Sequence, residues 1–151
     1  MTSLLIVYHS QSGTSAKLAR ACWRSACRVE AVATRVCRAW DAGTADILTA
    51  DGLILVAAEN SASVSGGMKD FLDRTFYPVA ASGRVLPCAL LVSAGNDGRG
   101  ARQQVERILS GYPMRLAMAT SIFRGEFTAL HRQQAAELGE GFATGLEMGI
   151  F

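Results

Sequence analysis

The chain has 151 residues, half of them hydrophobic and 19% charged, with 15 Lys/Arg against 13 Asp/Glu. That length and balance suit one globular domain, residues 1–151, and exclude a disordered chain. A net charge of +2 without interleaved aromatics is too weak for a nucleic-acid binder, and no apolar run is long enough to span a bilayer, so neither nucleic acid nor membrane is expected as a partner.

Met1 to Val7 has no basic segment and reads directly as a strand, so no signal peptide is expected and the protein is read as cytoplasmic. Leu4 to Tyr8 is continuously apolar, as in a strand buried on both faces of a parallel sheet. A polar loop, His9 to Ser15, leads into a helix. Leu18, Cys22 and Ala26 form its buried stripe, and Lys17, Arg20, Arg24 and Arg28 a solvated basic one. Val29 to Val36 alternates loosely and predicts a second strand. A connection over 38–49 follows, with a short helical turn at 43–49. Leu53 to Ala58 is a third strand, again apolar throughout, followed by a Ser- and Gly-rich loop over 59–67. Met68, Phe71, Leu72 and Thr75 mark the buried side of a helix that Pro78 is expected to end. Lys69, Asp70, Asp73 and Arg74 face water there, and Lys69, Asp73 and Arg74 are expected to make helix and loop salt bridges.

Pro87 to Ser93 is a fourth strand, and 94–100 (AGNDGRG) a tight loop. Ala101 to Leu109 forms a helix, and Arg115 to Phe123 a weaker fifth strand. The closing helix spans Thr128 to Met148, with Leu130, Leu138, Phe142 and Leu146 buried. Strands alternating with helices predict an α/β fold of three layers, with helices on both faces of a five-stranded parallel sheet in the order 2-1-3-4-5. Charge is segregated along the chain. Residues 1–40 carry six Lys/Arg and one acid, whereas 41–80 carry two Lys/Arg and six acids. Cys22, Cys27, Cys37 and Cys88 form no C-x-x-C pair and have no histidine at ligand spacing; they read as small buried thiols, and no metal site is expected.

In an open α/β sheet a ligand sits beyond the carboxyl ends of the strands, at the switch point between the first and third. Loops 9–15, 59–67 and 94–99 leave those ends, and all three are rich in small polar residues. In the first, Gly13 lets the backbone turn closely around an anion. The helix N-terminus and the hydroxyls of Ser10, Ser12, Thr14 and Ser15 then supply neutral donors. Neither G-x-x-x-x-G-K-[ST] nor G-x-G-x-x-G is present, and a Ser-rich helix cap accounts for the same residues equally well. His9 reads as a loop histidine bonded to backbone, His131 as a residue of a solvated helix face, and Trp23 and Trp40 as packing residues.

Tyr8-His9-Ser10-Gln11-Ser12-Gly13-Thr14-Ser15 resembles the phosphate loop of flavodoxins and of flavodoxin-like NAD(P)H oxidoreductases. Glu59-Asn60-Ser61 followed by Ser65-Gly66-Gly67-Met68-Lys69-Asp70-Phe71-Leu72-Asp73-Arg74 is similar to the segment that borders the flavin ring in those reductases. Ser93 to Gly98 stands where their third flavin loop stands. The resemblance covers essentially the whole chain, and its short strand-5 region resembles the short-chain branch. It implies a flavodoxin-like fold that binds FMN. Ser10, Gln11, Ser12, Gly13, Thr14 and Ser15 would hold the phosphate. Glu59, Asn60, Ser61, Ala62, Ser63 and Val64 would line the ring and ribityl chain, and Ser93, Ala94, Gly95, Asn96 and Asp97 would close the other side. No side chain is assigned a catalytic role, because the cofactor carries the hydride chemistry. The implied partners are NAD(P)H and a quinone, flavin or similar small acceptor, and dimers are common among the reductases it resembles. Two other readings stay open: a flavodoxin-type electron carrier, and a flavodoxin-like domain without flavin turnover. No aromatic side chain lies in 59–67 or 94–99 to stack on a flavin ring.

Overall fold

A computed structural model describes residues 1–151. In chain order its elements are β1 (Thr2–Tyr8), α1 (Thr14–Ala26), β2 (Val32–Arg38), α2 (Thr44–Leu48), β3 (Gly52–Asn60), β4 (Ser63–Val64), α3 (Gly66–Ser82), β5 (Leu86–Ala94), α4 (Arg99–Leu109), β6 (Met114–Leu116), β7 (Ser121–Arg124) and α5 (Ala129–Glu147). The three-layer α/β arrangement expected from the sequence is present. The apolar runs of β1, β3 and β5 send alternate residues to opposite faces. Leu5, Val7, Leu53, Leu55, Leu90 and Val92 pack under α2, α3 and α4. Leu4, Ile6, Ile54, Val56 and Leu91 pack under α1 and α5. A strand in such a sheet has no wet face, which is why these segments carry no polar alternation.

The sheet corrects the expected five-strand order. Seven strands form it, in the order β2-β1-β3-β5-β6, with β4 paired to β3 and β7 to β5. Two local events make the difference. Past the strand pairing of β3, the chain reverses and lays β4 antiparallel on the end of β3, Asn60 facing Ser63 and Glu59 facing Val64. The edge strand is also broken. Cys88 faces Leu116 but Leu91 faces Ser121, so three steps along β5 match five along the edge. Residues 117–120 bulge out there, while Ala117 still donates its N–H to the Cys88 carbonyl at 2.8 Å.

Other boundaries move for equally local reasons. The second strand begins at Val32, because Val29 is taken into the turn that closes α1, its N–H on the Ala26 carbonyl. Pro78 does not end α3. The helix runs four residues further, anchored by buried Val79, and stops at Gly83, which adopts φ 69. Proline removes one backbone donor there, and burial of the next residue outweighs that loss. On α5, Phe142 is buried but Leu130 is 60% exposed, and Leu138 and Leu146 are half-buried. All four cysteines are free. Cys22 and Cys88 are buried, and burial pushes both thiols up to about 12; Cys27 is exposed and Cys37 half-buried, so the expectation of four buried thiols holds for two. No helix is long and apolar enough to cross a membrane.

Candidate functional site

Side-chain hydrogen bonds tie the three strand-end loops to one another. Ser15 Oγ lies 2.7 Å from Ser93 Oγ and 3.4 Å from the Ala57 carbonyl oxygen, which joins the first loop to β3 and β5. Asn60 Nδ2 donates to Gln11 Oε1 at 2.9 Å, joining the first loop to the second. The Glu59 carboxylate accepts the N–H groups of Gly98 (2.9 Å) and Ala101 (3.1 Å), and Gln104 Oε1 accepts the Val64 N–H (2.8 Å) and the Ser63 hydroxyl (2.9 Å). Those four bonds fix the second loop against α4 and the third loop. The three loops singled out in the sequence therefore meet beyond the carboxyl ends of β1, β3 and β5.

The first loop leaves the N-terminus of α1 open. Gly13, at φ 108, turns the chain into α1, and its N–H donates to Ser10 Oγ at 3.0 Å. No side chain caps α1 and no acid lies in its first turn. Its leading N–H groups therefore lack an intrahelical acceptor. The contrast with α4 is informative, because there the Glu59 carboxylate already occupies the N-terminus. Ser12 is exposed and Thr14 half-buried, whereas Ser15 is buried with its hydroxyl engaged on Ser93. An anion at this turn gains charge-assisted hydrogen bonds of about 1.5–3 kcal/mol each, with the helix dipole adding about 0.3–1 kcal/mol.

The second loop is a two-residue hairpin. Ser61 and Ala62 both take positive φ, 52 and 64, as a type I′ turn demands. Neither is glycine, so the tip carries roughly 1–2 kcal/mol of strain per residue, held in place by the Asn60, Ser63, Val64 and Glu59 hydrogen bonds. Ser61 and Ala62 are exposed, but the Val64 side chain is buried in the core and offers only backbone to a ligand. In the third loop Gly95 and Asn96 are exposed. Asp97 binds Arg99 at 2.7 Å, and that guanidinium holds its carboxyl below the usual value. Sequence reasoning missed a fourth participant, the loop over 124–128. Arg124 Nε donates to the Asp97 carbonyl at 2.7 Å and Gly125 N–H to the Ala94 carbonyl at 2.9 Å. The signal available was the Arg-Gly pair directly after the apolar Ile122-Phe123.

Comparison with known proteins bears on the family and the fold. Residues 17–129 match the family model described as NADPH-dependent FMN reductase. The chain belongs to that family. Among solved structures, an archaeal flavodoxin superposes on this FMN reductase-family fold with a TM-score of 0.82 at 19% identity, covering 97% of this chain and 99% of the other. The flavodiiron core Flv1 of Synechocystis sp. PCC6803 gives 0.82 at 17% identity over 98% of this chain, which spans 36% of that protein's chain. An azoreductase of Bacillus anthracis str. Sterne gives 0.74 at 14% identity, covering 94% of this chain and 100% of the other. No curated protein matches by sequence. The fold is thus flavodoxin-like, and family and fold together support a flavin-binding oxidoreductase or flavodoxin-like role.

Two residues of this FMN reductase-family chain stand differently from expectation. Trp40 is 58% exposed rather than packed away, just past the end of β2, edge-on to His9 with ring centres 5.5 Å apart. His9 Nδ1 lies 2.8 Å from Ser65 Oγ, so its ring meets a side chain and not backbone. His131 helps cap α5, its Nδ1 accepting the Thr128 N–H at 3.3 Å, and its ring stands edge-on to Phe123. Trp23 does pack, its indole N–H reaching the Thr34 carbonyl at 3.3 Å.

Burial lowers the His9 pKa. The unfolded chain then binds a proton near the ordinary histidine value of about 6.5, which the folded chain resists. Stability contributed by neutral His9 is fully present above that pH and is lost as the pH falls from it through the lowered value of the folded chain. Melting temperatures between about pH 7.5 and pH 5.5 are expected to fall further in the native protein than in His9→Gln. Parallel curves for the two proteins would show that His9 is not the group responsible.

Proposed function

We propose that the protein binds FMN, phosphate first, and uses it as an NAD(P)H-dependent oxidoreductase toward a quinone, flavin or similar small acceptor. The observation that carries this reading is the uncapped, acid-free N-terminus of α1 behind Gly13, at the strand ends where three loops are tied together. Ser10 shapes the turn. The hydroxyls of Ser12 and Thr14 and the N–H groups of Gln11, Ser12, Thr14 and Ser15 face the phosphate, the Gly13 N–H being held by Ser10 Oγ. The hairpin from Glu59 to Val64 and the loop from Ser93 to Asp97 bound the ring, the hairpin tip and the Gly95-Asn96 backbone standing in for stacking aromatics. Bound FMN would supply hydride acceptance from the nicotinamide and electron delivery to the acceptor. The chain's own residues bind and orient it, and no side-chain acid or base is required of them. Four free cysteines, one of them exposed, fit a reducing, cytoplasmic setting.

A visible spectrum of the purified protein titrated with FMN, then with NADPH and NADH in the absence of oxygen, tests the reading. Bound flavin bleached by either pyridine nucleotide is the expected result. Bound flavin that neither bleaches would indicate an electron carrier, a reading favoured by the end-to-end likeness to a flavodoxin. Absence of any flavin binding would overturn both.

A further inference from the structure

The charge segregation of the sequence resolves, in the fold, into one uncompensated surface. Every acid of the 41–80 stretch is engaged. Asp41 pairs with Arg38, Asp46 with Arg35, Asp51 with Arg84, Asp70 with Arg74 and Asp73 with Lys69, while Glu59 serves the N-terminus of α4. The basic stripe of α1 has no such match. Lys17, Arg20, Arg24 and Arg28 line a groove of about 400 Å³ between α1 and α5, with Phe127 and Arg132 on its far side. Only Arg28 meets a carboxylate, Glu140, at 3.7 Å with both side chains exposed. Lys17 and Arg132 lie instead over Phe127, 5.8 and 5.2 Å from its ring centre. An aromatic face steadies a cation without cancelling its charge.

We infer that this groove is a docking surface for an acidic face of a partner protein. Arg20 and Arg24 stand four residues apart on α1, a rise of about 6 Å, and Arg28 follows four residues on in the turn that closes the helix. An extended polypeptide presents same-side side chains every ~6.6–6.8 Å, so acidic residues at alternate positions meet successive guanidinium groups. Single-stranded nucleic acid fits less well. Its binding sites add aromatic platforms for the bases, and the one ring here, Phe127, is covered by Lys17 and Arg132. A second copy of this chain offers no acidic row to match the groove: the acids of 41–80 are engaged, and Glu30, Glu106, Glu126, Glu137 and Glu147, which have no ion pair, stand ten or more residues apart in sequence. The groove is continuous with the candidate site. Lys17 lies in the first turn of α1, its N–H on the Gly13 carbonyl, and Phe127 follows the Gly125 that closes on Ala94. A partner seated there abuts the strand ends where electrons would be exchanged. The docking itself does not depend on bound flavin.

The test is fluorescence anisotropy with a labelled peptide of about 12 residues alternating Glu and Ser, beside oligothymidylate of similar length and phosphatidylserine vesicles, at about 50 mM and about 300 mM salt. The groove predicts that the acidic peptide binds best, and that its affinity falls about tenfold or more between the two salts. A similar fall is expected in the triple variant Arg20→Gln, Arg24→Gln, Arg28→Gln, with melting temperature and FMN affinity unchanged. Tighter binding of oligothymidylate or of the vesicles would overturn the proposal in favour of nucleic acid or a membrane. No peptide binding at low salt, or binding indifferent to the triple substitution, would refute it outright.

Discussion

Gly139→Ala is expected to destabilise the protein by about 2 kcal/mol, whereas Gly141→Ala, on the same helix, is expected to stabilise it by about 0.5–1 kcal/mol. Both substitutions exchange glycine for alanine inside α5, and both gain roughly 1 kcal/mol of helix preference. What differs is the neighbour. A Cβ on Gly139 would run into the backbone of α1 at Cys22, with the carbonyl carbon at 2.8 Å, the Cα at 2.9 Å and the carbonyl oxygen in its path. Helix backbone cannot rotate aside as a side chain can, so α5 must lift off α1 and loosen the layer built on Phe142, Leu18 and Cys22. A Cβ on Gly141 meets nothing within 4 Å. For a chain of this size the melting temperature should fall about 4–8 °C in the first variant and rise about 1–4 °C in the second. Shifts of the same sign would mean that α1 and α5 do not approach at Gly139.

The other large effect is on ligand affinity. Thr14→Asp places a carboxylate in the first turn of α1, where the N–H groups have no capping side chain. The helix dipole favours that charge, so stability is expected to hold or rise by about 0.3–1 kcal/mol. FMN affinity is expected to fall about a hundredfold or more, because the phosphate meets a like charge on groups already bonded; a factor of ten corresponds to about 1.4 kcal/mol. Riboflavin, which lacks the phosphate, should lose little. Thr14→Ala, which removes one neutral donor, should cost FMN affinity tenfold or less. A carboxylate variant that kept full FMN affinity would place the phosphate elsewhere.

Much of this was legible in the sequence because it is local. Leu4 to Val7 and Leu53 to Ala57 could only be strands buried on both faces, and that alone directed attention to the loops beyond them. The buried stripe of α1 and the ion pairs of α3 follow from helical spacing. What stayed hidden depended on partners distant in sequence. The β3–β4 hairpin carries Ser61 and Ala62 at positive φ, where a sequence signal would be Asn-Gly, and it persists through bonds to Gln104 and Gln11. Glu59 reads as a ligand-facing residue, yet its carboxylate is directed to α4 by a chain segment 40 residues away. The break in the fifth strand comes from two surplus residues in its register against β5, which no periodicity records. Charge segregation was visible, but only the fold shows that the acids are matched and the α1 cations are not.

Equilibrium titration with FMN and riboflavin in parallel, followed by quenching of flavin fluorescence, addresses the phosphate cradle most directly. With the phosphate held by the open N-terminus of α1, FMN should bind at least about a hundredfold more tightly than riboflavin, a difference of about 2.7 kcal/mol. Equal affinities, or no binding of either flavin, would contradict a site built around Ser10 to Ser15.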